Sequence, residues 1–417
     1  MFRYISQQRQ IIRSYYSGIG KTAVIYPASF LVSVASVQVS LGLVFFARDV
    51  FRATPTLIGW LLGVWSISYV FGCLFVRPAF NRVMPRYLIM GSCFCMFVFI
   101  LSMQFAPSME WIYLLYGLFG LAQSLFWPPL MGWLSTDTEG AALGRTISRF
   151  NLVWCAGTIV GPFVCGWLSE RATRLPLHLG SSLFLLTGIF VAGAISVLPR
   201  GHEKYDTVTN LRTHQAVQGR STLLCYPAWI GLFATYFSFG VISAIFPIVV
   251  REELLLTETT IGFLFLIRAL FNAVSFVILG KTLFWHFRSV PMLVGQLLGA
   301  AVFIGFANTG SVYTIGALLA LLGISHGMSY SISIFHGVSG SLNRAQRMAI
   351  HESIIGIGTA VGPVLGGMVY ESFTIVHVYR LCALVLLAGT FAQLALCAWA
   401  HMRDKIGEKD GSDKKTE

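Results

Sequence analysis

An arginine, Arg268, stands inside residues 259–280, a run otherwise apolar enough to cross a bilayer. It lies about ten residues, or ~15 Å at the helical rise, from the start of the run and so falls near mid-membrane. A guanidinium there costs roughly 2.5–3.5 kcal/mol on insertion scales and must face water, a partner or a ligand. No carboxylate occurs at comparable depth in another apolar run. A ligand anion, a water cluster or backbone carbonyls are left as its counterpart. Arginine stays protonated at working pH, so its chemistry is electrostatic binding. Asn272 follows one turn later on the same helical face and can share the contact. Two roles stay open for Arg268, a substrate or gating contact and a structural hydrogen-bond hub.

Proton transfer needs a histidine or a carboxylate. His326, and His351 beside Glu352 at the head of the apolar run 353–370, are the proton-coupling candidates. Glu352 has a second reading as a helix N-terminal charge, and His326 as a satisfied interior histidine. No nucleophile with its base, metal-ligand cluster or phosphate loop occurs, so no enzyme, cofactor or metal is expected. The stretch GIGTAVG, 356–362, imitates a dinucleotide fingerprint but follows no strand. The eight cysteines have neither zinc nor redox spacing and form no disulfide framework.

The elements that must position these groups are membrane helices. The chain has 417 residues, 56% of them hydrophobic and only 11% charged, far below the roughly 25% charge of soluble domains. Charge-free runs at 22–47, 53–76, 87–109, 111–136, 150–169, 175–199, 221–250, 353–370 and 381–402 each suffice for a span. The 55-residue run 289–343 holds two, turning at residues 307–311, and the run containing Arg268 makes twelve. With the N-terminus inside, 22 of 29 lysines and arginines fall in cytoplasmic segments. The net charge of +12 is therefore a topology signal and not a nucleic-acid footprint.

The spans are written twice. GTIVGPFVCGWLSE at 157–170 returns as GTAVGPVLGGMVYE at 358–371, with seven of fourteen positions identical. Tyr26-Pro27-Ala28 returns as Tyr226-Pro227-Ala228. Arg48-Asp49 before Ile58-Gly59 returns as Arg251-Glu252 before Ile261-Gly262. The fold expected is an all-α membrane protein, twelve transmembrane helices in two parallel six-helix repeats. Its segments are a basic N-terminal part at 1–21, a first bundle at 22–198, a linker at 199–223, a second bundle at 224–401 and a tail at 402–417. The N-terminal part reads either as a short interfacial helix or as a basic tail.

Six plus six spans, a long central polar loop and a GxxxGPxxxG helix in fifth place resemble the major facilitator superfamily over essentially the whole chain. The fifth-helix signature of its drug and proton antiporters is matched by Gly157, Gly161, Pro162 and Gly166, and again by Gly358, Gly362, Pro363 and Gly367. Those residues are read as close helix packing at the moving interface. Asn81, Arg82 and Arg86 occupy the family's gating loop without its aspartate, and the fourth span lacks the arginine common in proton-coupled members. The resemblance implies a cavity lined by the first, fourth, seventh and tenth helices. That nominates Gln38, Gln123, Tyr236, His326 and Tyr330 as substrate-binding residues beside Arg268 and Asn272. It implies a monomeric secondary active transporter in the plasma (inner) membrane, both termini cytoplasmic, working by alternating access on a small molecule. Proton-coupled efflux as an antiporter leads. Uptake of an anionic or neutral solute, and a non-transporting sensor, stay open.

Overall fold

The computed structural model describes residues 21–75, 83–135, 140–197, 223–338 and 344–413. Asn81 and Arg82, residues 1–20 and most of the linker lie outside the described residues. The first half contains α1 (Thr22–Phe51), α2 (Pro55–Phe75), α3 (Pro85–Met103), α4 (Met109–Ser124), α5 (Trp127–Ser135), α6 (Gly140–Ser169) and α7 (Leu175–Val197). The second contains α8 (Cys225–Ala244), α9 (Phe246–Glu252), α10 (Glu258–Lys281), α11 (Val290–Phe306), α12 (Val312–Val338), α13 (Arg344–Ser372) and α14 (Ile375–Asp413). In hydrocarbon every backbone polar group must be satisfied within its own segment, which is why apolar runs of this length become helices.

Eleven helices, counting α4 with α5 and α8 with α9 as single spans, are long and apolar enough to cross a membrane. The 17-residue α11 is the twelfth, shorter but free of charged residues. Proline makes the two breaks. Helix α5 restarts before Pro128 and Pro129, and α9 restarts before Pro247, because proline offers no N–H to the preceding turn. The second break has no counterpart among the sequence expectations. Nor does the length of α14, which continues as helix from the last span to Asp413, through most of the stretch assigned to a tail.

The two halves pack alike. Helix α1 lies against α6 and α7, as α8 lies against α13 and α14; α2 lies on α4 as α10 lies on α12. Between the halves two long seams dominate, α2 with α13 and α6 with α10. The fourth and tenth spans are not packed along each other among the described residues.

At the end opposite the linker the halves are latched by residues that are repeat equivalents. Arg48 Nη2 donates to Glu252 Oε2 at 2.8 Å, and Arg251 Nη1 donates to Asp49 Oδ1 at 2.7 Å, so each half's arginine takes the other half's carboxylate. Arg251 also pairs with Glu258 at 2.8 Å. Glu170 accepts from the Thr259 amide at 3.1 Å and Glu371 from the Thr56 amide at 2.8 Å, each carboxylate sitting on the first turn of a helix of the opposite half. Below the latch, a Cβ on Gly59 would come within 2.3 Å of the Pro363 carbonyl oxygen, and one on Gly262 within 2.3 Å of that of Pro162. Only glycine permits backbones this close.

Candidate functional site

Arg268 leaves α10 halfway along its length. Its Cζ lies 4.7 Å from the ring centroid of Phe239 on α8 and 5.6 Å from that of Phe265. Cation–π contacts of this kind return about 0.5–2 kcal/mol, less than the cost of placing the charge. The guanidinium makes no hydrogen bond or ion pair among the described residues, and its Nε is buried without a partner. Arg268 is half-buried, and its five N–H donors form a fork suited to a planar acceptor.

Around it the side chains of α8 and α12 form a chain of rings. His326 lies 4.8 Å from both Tyr236 and Phe239. Tyr236 reaches Tyr330 at 6.5 Å, and Tyr330 reaches Phe276 at 5.6 Å and His351 at 5.3 Å. His326 is 8% exposed and its Nδ1 has no partner; Asn272, packed against Gly323 and Gly327 of α12, leaves its Oδ1 without one. Arg268 lies within electrostatic reach of Tyr236 and His326. Glu352 lies within reach of Tyr236 and Tyr330 in its own half and of Tyr69 and Cys73 on α2 across the seam. No cation pairs with Glu352 among the described residues, whereas neighbouring His351 is engaged with Ser333 at 2.9 Å.

The fold sets this position through a close helix crossing. A Cβ on Gly323 would come within 2.3 Å of the Arg268 carbonyl oxygen, and in the first half a Cβ on Gly120 would come within 2.5 Å of the Trp65 carbonyl oxygen. Both pairs share the 203-residue offset of the repeat. Trp65 is thus the structural equivalent of Arg268, and Gln123 of His326. The Trp65 indole N–H donates to Gln123 Oε1 at 2.9 Å, and Gln123 Nε2 donates to Ser36 Oγ at 3.1 Å. Sequence reading missed Trp65 and Phe239. Extending the repeat offset from the Ile58/Ile261 anchor would have found the first; nothing in the spacing points to the second.

The remaining nominated residues are held in seams. Gln38 is fully buried, its amide nitrogen donating to the Gly161 carbonyl at 2.8 Å, so it ties α1 to α6 and does not line open space. Its face of α1 is turned by packing that spacing alone does not reveal. Gly157 and Gly161 pack on α1, and Gly358 and Gly362 on α8, within their own halves. Gly166 and Gly367 cross to the other half, against Glu258 and Pro55, and the Pro162 and Pro363 carbonyls do the same. Arg86 is buried in the first turn of α3. A second polar hub, unforeseen from sequence, has Gln296 donating to Gly231 O, Thr235 Oγ1 and Ser329 Oγ at 2.8, 2.9 and 3.2 Å, and it knits α8, α11 and α12 together.

A family model described as Major Facilitator Superfamily matches residues 25–339 and 228–416. The chain belongs to this superfamily. Multidrug resistance protein 1 of Bacillus subtilis (strain 168) is 19% identical over 374 residues, 85% of this chain and 93% of that one. An uncharacterized MFS-type transporter, C18.02, of Schizosaccharomyces pombe (strain 972 / ATCC 24843) is 26% identical over 168 residues, 38% of this chain and 37% of its own. Among solved structures, the nucleoside transporter NupG superposes with a TM-score of 0.70 at 13% identity, covering 90% of this chain and 98% of that one. A bacterial homologue of the human lysosomal transporter Spinster, inward-facing and unoccupied, gives 0.69 at 13% identity, covering 96% and 98%. These structural likenesses establish the fold. This superfamily member is an integral membrane transporter and not an enzyme.

Proposed function

We propose that this transporter carries a small organic anion by alternating access, Arg268 holding the anionic group and Glu352 binding the proton coupled to its movement. The observation that carries the reading is the Arg268 guanidinium, enclosed by Phe239 and Phe265 with no carboxylate or other acceptor among the described residues. An anion supplies an acceptor. A cation would meet the guanidinium's repulsion in a medium that screens it poorly. Glu352 suits proton binding because it sits at the seam between halves, beside Tyr69 and Tyr330 and away from any paired cation.

The cycle follows from the packing. One end of the molecule is latched; in the proposed cycle, opening the latch and closing the linker end rocks one bundle against the other along the α2–α13 and α6–α10 seams. The concentration of basic residues at the linker end supports a cytoplasmic linker end. Both halves of the site lie in one chain, so a monomer suffices. A second reading, proton-driven export of a drug-like compound, is favoured by the name of the Bacillus subtilis relative and by the fifth-helix glycines.

Flux into proteoliposomes under an imposed proton gradient separates the two. Organic-anion flux that follows the gradient and disappears in Arg268→Ala is expected. Gradient-driven movement of organic cations that is indifferent to Arg268→Ala would overturn the anion reading and leave drug export.

A further inference from the structure

We infer that the ligand of this site is a flat aromatic monocarboxylate, its carboxylate on Arg268 and its ring on aromatic surface contributed by both halves. The inference deepens the anion reading and rests on it.

Two sets of observations point to the aromatic body. On the second half, Phe239 stands between Arg268 and His326, and Tyr236 and Tyr330 continue the ring contacts away from the charge. On the first half, Trp65 stacks on Tyr69 with centroids 6.1 Å apart and planes 22° apart. Helix α2, which carries Trp65 and Tyr69, packs along α13, whose His351 meets Tyr330 at 5.3 Å, so the two sets of rings lie on either side of the α2–α13 seam. A saturated ligand of the same shape would bury the same area but lose the ring-to-ring geometry that aromatic pairs favour.

The number of carboxylates follows from what each half leaves open. In the second half, Arg268 Nε is buried without a hydrogen-bond partner. In the first half the corresponding donor is already used, since the Trp65 N–H is held by Gln123. The first-half helices that carry Trp65 and Gln123, α2 and α4, hold no cation for a second carboxylate. One carboxylate is accommodated and two are not.

Isothermal titration calorimetry on the full-length protein in lipid nanodiscs tests this with four probes of matched shape. They are 2-naphthoate, its decahydro (saturated) analogue, naphthalene-2,6-dicarboxylate and 2-naphthylmethylamine. The expected result is 2-naphthoate at least tenfold tighter than each of the others. Arg268→Gln should lose at least tenfold of that affinity while keeping the wild-type melting temperature in the absence of ligand. The comparison among probes on the wild-type protein stands even if the variant fails to fold. Equal affinity for the aromatic and saturated carboxylates, or tighter binding of the dicarboxylate, overturns this inference and leaves the anion reading standing. Tightest binding of the amine, or binding of none of the carboxylates, overturns both.

Discussion

In the first half, Trp65, Gln123 and Ser36 complete one another's hydrogen bonds; in the second half their equivalents Arg268, His326 and Tyr236 leave a guanidinium and an imidazole nitrogen without partners. The backbones beneath are the same, with Gly120 on the Trp65 carbonyl and Gly323 on the Arg268 carbonyl. The contrast continues at the seam. Trp127 meets Phe150 in the first half at 6.3 Å, and Tyr330 meets His351 in the second at 5.3 Å. Next to these, Asn151 stands where the second half has Glu352. A closed polar network in a membrane interior is stable by itself, whereas unsatisfied donors in apolar surroundings cost several kcal/mol and persist where a ligand answers them. The first half closes its polar set and the second leaves its set open.

The largest effect that can break this comparison is at Arg268. Arg268→Ala should lower transport at least a hundredfold with normal membrane insertion, and Arg268→Lys should restore little of it because a point charge replaces the fork. Copying the first half into the second, with Arg268→Trp and His326→Gln together, should give a well-folded protein of raised melting temperature and no transport. Retained transport in that double variant would show that the asymmetry is incidental. Next, Glu352→Gln should abolish gradient-driven accumulation while sparing counterflow exchange, and Asn151→Gln should change neither; the ratio of the two assays separates coupling from binding.

Smaller effects are expected where the halves are alike. Gly59→Ala and Gly262→Ala each thrust a methyl at a carbonyl that cannot retreat without moving a helix, a cost of about 1–3 kcal/mol. Both should slow transport several-fold by the same factor, and unequal effects would reveal that the seams do not move symmetrically. The latch contributes least. Arg48 and Glu252 are 30% and 38% exposed, so breaking the pair costs at most about 1 kcal/mol, read as increased labelling of cysteines introduced at the latched end. Hydrogen bonds from Thr257 and Thr259 hold the Glu170 carboxylate below its ordinary range. Its stabilising contribution is therefore present above the unfolded-state value and lost as pH falls through the lowered one. Labelling at the latched end should rise on acidification through that range, and Glu170→Gln should flatten the response.

Much of the architecture is legible in residue order. Runs free of charge mark the spans, because charge is expelled from hydrocarbon, and the turn at 307–311 falls where small polar residues interrupt an apolar run. The break before Pro247 was less legible, since one proline inside an apolar run can either kink a helix or stop it. Of the site, the depth of Arg268 was readable and the identity of its neighbours was not. Phe239 is one of 33 phenylalanines, and nothing in its sequence context distinguishes it from those facing lipid.

Sequence by itself determined that this chain is a duplicated membrane bundle with one cation in mid-span, because hydropathy and the repeat offset are properties of residue order. Tertiary structure alone decided which copy's polar groups are satisfied. Spacing along a helix gives a side chain's depth, but its partner depends on the helix's rotation and on the residue that the neighbouring helix presents at that level. At one such crossing the chain presents Gln123 to Trp65 and closes the set; at the other it presents His326 near Arg268 and leaves the set open.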